Sequence, residues 1–171
     1  ITLKRSDGSV AATYDTEISS NLTISDKTLT INPSSDLSAY TTYEVVFDEG
    51  AIVDLNGNKY IQSNDYQFTT IDTTPPISVG FTPNDDATEI AVASDITFTF
   101  SEAIKVSVGN ITLKTSDGLV AATYDAATSF NLSISGKTLT INPSSDFSTD
   151  TTYKVVFDEG AIVDLNGNKY I

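Results

Sequence analysis

Apolar and polar residues alternate with a period of two along most of the chain, in short runs separated by turn residues, which is the pattern of half-buried β-strands. Ile1 and Leu3 face one way, and an Asp7-Gly8 turn leads to a second strand from Val10 to Tyr14. After a longer connection, Asp15 to Ser20, the residues Leu22 and Ile24 oppose Leu29 and Ile31 as the arms of a hairpin turning at Ser25-Asp26-Lys27. Tyr43, Val45 and Phe47 share one face of the next strand, and a further strand is centred on Tyr66 to Thr70. Beyond Pro75-Pro76, the residues Ile77, Val79 and Phe81 precede an acidic turn, Asn84-Asp85-Asp86. Ile96, Phe98 and Phe100 then form the apolar face of a strand that closes at Ser101-Glu102. No segment carries the 3.6-residue period of an amphipathic helix. The pattern predicts an all-β fold of seven or eight short strands per unit, the mark of a β-sandwich.

The chain repeats itself. Residues 1–61 align without a gap on residues 111–171, a period of 110 residues, and 12 of the 61 aligned positions differ. A period of that size is a whole domain and not a solenoid turn. Paired prolines stiffen a linker and withhold the amides that a sheet would need, so the boundary falls within Ile71–Pro76. The expected division is a domain portion at 1–73 lacking its first strands and a second domain at 74–171 lacking its last. Since Ile1 lies inside a strand pattern, the chain reads as a segment of something longer.

Composition narrows the chemistry. His, Cys and Met are all absent, which removes the commonest general base, the thiol nucleophile, thiolate metal sites and any disulfide framework. Catalysis by paired carboxylates needs a cleft, which short repeated sandwiches seldom supply, so no enzyme is expected. The formal net charge of −14 repels nucleic acid and anionic membrane and favours cations. No apolar run approaches the ~20 residues of a membrane span, so neither a nucleic-acid partner nor membrane insertion is expected.

One segment is richer in oxygen ligands than any other. Asp48 to Ile61 returns unchanged as Asp158 to Ile171 and carries Asp48, Glu49, Asp54, Asn56 and Asn58. Two readings stand side by side. In the first it is a hairpin turn, with Asn56-Gly57 chosen for positive φ and the acids solvated. In the second its hard oxygens bind Ca²⁺, although the spacing is not that of an EF-hand.

The linker Asp72-Thr73-Thr74-Pro75-Pro76, the strand end Thr99-Phe100-Ser101-Glu102, the segment Leu37 to Tyr43 and the loop Asp54-Leu55-Asn56-Gly57-Asn58 together resemble bacterial Ig-like domains. These occur in tandem in S-layer proteins and large repetitive surface adhesins. The resemblance covers nearly the whole chain and implies an Ig-like β-sandwich in which Tyr43 forms a tyrosine corner, its phenol bonding back to the main chain. It also implies a metal site at a domain junction, where Ca²⁺ is shared by Asp72, Glu102, Asp164, Asn166 and Asn168, with Asp54, Asn56 and Asn58 as the equivalent loop of the first copy. Strand alternation alone sends that loop to the wrong end of the domain unless Asp15 to Ser20 arches across the sandwich. For Glu102 the plainer reading is a solvated strand end.

The function expected from the resemblance is a structural or adhesive spacer in an extracellular or cell-surface bacterial protein, its partners being neighbouring repeats. Two rivals remain. One is a fibre or layer in which other copies join by strand complementation, the other a glycan- or ligand-binding module hinted at by Tyr40 and Phe130, each an aromatic present in one copy alone.

Overall fold

The computed structural model describes residues 1–61 and 66–171. The chain divides into two compact units, Ile1–Asp72 and Thr73–Ile171, each made of antiparallel strands. Among the described residues no helix is long and apolar enough to cross a membrane.

The first unit contains β1 (Thr2–Arg5), β2 (Val10–Thr13), β3 (Leu22–Ser25), β4 (Thr28–Ile31), β5 (Thr42–Val46) and β6 (Tyr66–Thr69). Its main sheet has the order β2-β1-β5-β6, and β3-β4 forms a separate hairpin. The hairpin turns where expected, with Asp26 at φ 53° and its counterpart Gly136 at φ 58°. Alternation along β5 buries Tyr43 and Val45, which with Ile1, Leu3 and Tyr14 make the core. Phe68 on β6 stacks on Tyr43 with ring centres 5.7 Å apart.

The second unit contains β7 (Ser78–Thr82), β8 (Ile96–Phe100), β9 (Ile104–Val106), β10 (Asn110–Thr115), β11 (Val120–Asp125), β12 (Leu132–Ser135), β13 (Thr138–Ile141), β14 (Tyr153–Phe157) and β15 (Ile162–Asp164). Two sheets, ordered β12-β13-β8-β7 and β11-β10-β14, enclose a core that includes Phe100, Ile111, Leu139, Ile141 and Ile162. A third, two-stranded ladder pairs β15 with β9. The chain therefore leaves β11 in one sheet and enters β12 in the other, so in the second unit the counterpart of Asp15 to Ser20 makes the arch that the sequence left open. Asp125 fastens its start, accepting from the Ala127 and Thr128 amides at 3.0 and 2.9 Å.

Identical sequences end in different surroundings. Thr28–Ile31 and Thr138–Ile141 share every residue, yet Leu139 and Ile141 are fully buried while Leu29 and Ile31 are half-buried. The difference lies in the neighbour: β13 pairs with β12 and β8, whereas among the described residues β4 pairs with β3 alone. The tyrosine corner forms in both units, the Tyr43 phenol accepting the Ser38 amide at 3.0 Å and that of Tyr153 the Ser148 amide at 2.9 Å.

Candidate metal centre

The loop that carries the acids is built by its aspartate. Asp164 ends β15, and its Oδ1 accepts the amides of Asn166 and Asn168 at 2.9 and 2.8 Å. Its Oδ2 accepts the side-chain amide of Asn168 at 2.7 Å. Gly167 takes the left-handed conformation, φ 95°, which closes the turn without the steric penalty a Cβ would bring. The same arrangement recurs at Asp54, with Asn56 and Asn58 donating at 2.8 Å each to Oδ1 and the Asn58 side chain at 2.8 Å to Oδ2. The hairpin-turn reading is thus correct for the local backbone of both loops.

What separates the two loops is burial. Asp164 is fully buried, whereas Asp54, Asn56 and Asn58 are all exposed. Burial acts to raise the Asp164 carboxyl, but the hydrogen bonds from the Asn168 side chain and from the amides of Asn168, Gly167 and Asn166 outweigh it and hold the group below its ordinary value. A carboxylate accepting several such bonds stays ionised even out of water.

The β9–β15 ladder brings this group to others. Its register sets Asp164 opposite Ile104, two residues past the half-buried Glu102. Asp72, the residue immediately before the second unit begins at Thr73, is also half-buried. Carboxylate oxygens of Asp72, Glu102 and Asp164 all lie within 4.8 Å of one another. Two oxygens bound to one Ca²⁺ at ~2.4 Å can be at most ~4.8 Å apart, so the spacing suits a single ion, and three carboxylates are the hard donor set that Ca²⁺ prefers. Among the described residues no other three acids are gathered in this way.

Of the five residues expected at the second-domain site, the structure therefore brings together the three acids. Asn166 and Asn168 act as donors that orient Asp164, with Asn166 itself exposed and Asn168 half-buried. In the first copy Asp54 has the same turn, but among the described residues no acids gather around it. Asp48 and Glu49 diverge, Glu49 pairing with Lys59 at 2.9 Å. In the second copy Glu159 meets Lys169 at 3.1 Å, while Asp158 accepts the Asn110 amide at 2.9 Å. The element missed from sequence was the ladder itself: Ile104-Lys105-Val106 and Ile162-Val163-Asp164 are three-residue strands, too short to show a period.

A family model described as a bacterial Ig-like domain matches residues 2–70 and again residues 72–171, so the second match includes Asp72 and with it all three acids. No curated protein and no solved structure matches the chain.

Proposed function

The chain belongs to the bacterial Ig-like domain family, and from that premise we propose that it is a structural spacer segment of a secreted or cell-surface bacterial protein, its linker fixed to the second domain by Ca²⁺. Domains of this family are structural and not catalytic. The observation that carries the reading is the convergence of Asp72, Glu102 and Asp164 within 4.8 Å.

In this reading the three carboxylates are the ligands, and Asn166 and Asn168 hold Asp164 in place. Without a cation, like charges so close repel. With Ca²⁺ bound, Asp72 is tied to β15 and to the turn after β8, so the linker becomes a fixed part of the second domain. Extracellular Ca²⁺ modules work at ~10⁻⁴–10⁻³ M, which fits a cell-surface location. The partners are neighbouring repeats of the same protein.

Chelation tests this. On titration with EGTA, the melting temperature of the second domain is expected to fall and the maximum dimension from small-angle scattering to change. If both stay the same with and without Ca²⁺, the reading fails.

A further inference from the structure

The first unit holds a second cluster of polar side chains, separate from the acids. Arg5 ends β1, Asp7 lies in the turn after it, Tyr40, Thr41 and Thr42 lead into β5, and Thr69 ends β6. Together they line an open cleft of about 590 Å³. Arg5 is the single arginine of the chain and makes no ion pair within 4.0 Å among the described residues. Its Nη1 donates to Ser9 Oγ at 3.3 Å. The hydroxyls of Thr42 and Thr69 meet across the ladder at 2.8 Å. Tyr40 is 72% exposed and has φ 46°, a left-handed backbone that bulky residues seldom adopt.

The second copy folds with neither an arginine nor a tyrosine at the matching positions, although Arg5 also hydrogen-bonds to the Tyr43 phenol of the tyrosine corner. Their counterparts are Thr115 and Asp150, whereas Asp7, Thr41 and Thr42 are kept as Asp117, Thr151 and Thr152. Asp150 closes the same turn at φ 52°, and Thr115 pairs with Tyr153 as Arg5 does with Tyr43. The first copy therefore places an exposed aromatic on a strained backbone, beside the lone arginine, where a small polar pair suffices for folding.

Charge decides what such a cleft can hold. An anion would meet the Asp7 carboxylate and the field of a chain with net charge −14. A cation would meet Arg5. A neutral molecule bearing several hydroxyls satisfies both, donating to Asp7 and accepting from the guanidinium fork. Asp7 is preset for this, since its Oδ1 already accepts the Ser9 amide at 2.8 Å. An exposed phenol ring adds a flat apolar face with a polar edge, the complement of a pyranose with its C–H face and its hydroxyl rim. We propose that this cleft binds a neutral sugar ring, stacked on Tyr40 and hydrogen-bonded by Arg5, Asp7 and the threonine hydroxyls. The site is independent of the metal centre and adds a ligand-binding role to the spacer.

The test uses the whole chain, ¹⁵N-labelled, titrated with glucose, galactose, mannose and N-acetylglucosamine into the tens of millimolar, with glucuronate and glucosamine as charged comparisons. A single ring with few contacts is expected at a millimolar Kd. At least one neutral sugar should move the amides of Arg5, Tyr40, Thr41 and Thr42 while leaving those of Thr115, Asp150, Thr151 and Thr152 in place. Arg5→Thr and Tyr40→Asp carry residues that the second copy already folds with, and each should weaken binding by about tenfold or more. The proposal is overturned if no neutral sugar moves these amides, if both copies respond alike, if the two variants bind as well as the parent chain, or if a charged sugar binds more tightly than its neutral parent.

Discussion

The side-chain amide of Asn168 donates to Oδ2 of the fully buried Asp164 at 2.7 Å, and the same bond joins Asn58 to an exposed Asp54 at 2.8 Å. One turn, with identical residues, is thus present in two dielectric settings. In water the donors released by loss of the aspartate are solvated again, but in the part-buried loop of the second copy they regain less of that solvation. Asp164→Ala is therefore expected to destabilise the second domain by roughly 2–4 kcal/mol, near the upper end of single-residue effects. Asp54→Ala should cost the first unit clearly less. Urea titration followed by amide NMR reads the two units separately, and equal losses would contradict the account.

Glu102, half-buried in the turn after β8, is the acid chosen to test the donor set. Glu102→Gln keeps the shape and removes one charge. The expected result is a loss of Ca²⁺ affinity of about tenfold or more, since affinity in oxygen sites follows ligand charge. Asp54→Asn, in the loop without gathered acids, should leave Ca²⁺ binding as it was. Isothermal titration of the three chains checks both statements, and a Glu102→Gln chain that binds as tightly as the parent would remove Glu102 from the ligand set.

The tyrosine corner offers a cleaner deletion. The Tyr153 phenol accepts the Ser148 amide at 2.9 Å, and its ring packs on Phe147 at 5.0 Å between centres. Tyr153→Phe keeps the packing and removes the acceptor. A loss of about 1 kcal/mol is expected, the usual net worth of a hydrogen bond. Amide exchange at Ser148 should speed up in the variant while exchange along β10 remains slow.

Much of this was legible from the chain alone, for reasons that differ by element. Strands such as Tyr43 to Phe47 showed themselves because alternation over five residues separates two faces. The left-handed turn at Asp26 was visible in its twin, since Gly136 stands at the same place. The gathering of Asp72, Glu102 and Asp164 followed from resemblance and not from spacing. It depends on β9 and β15, whose three residues each are fixed by pairing with one another across almost sixty positions of sequence. Nothing local announces such a ladder. The Arg5–Tyr40 cleft was half visible: Tyr40 stood out as an aromatic without a twin, but its adjacency to Arg5 is a product of β1 pairing with β5.

The core of the second unit offers a packing test. Leu139 is fully buried on β13, between β12 and β8. Truncation of a leucine costs the transfer of its lost methyl groups plus a term for the cavity left behind, and the second term needs surroundings that cannot collapse. Leu139→Ala should accordingly destabilise the second unit by ~2–5 kcal/mol. Urea denaturation followed at amides of β10 measures the loss. A cost well under ~1 kcal/mol would mean that the strands around Leu139 close over the gap.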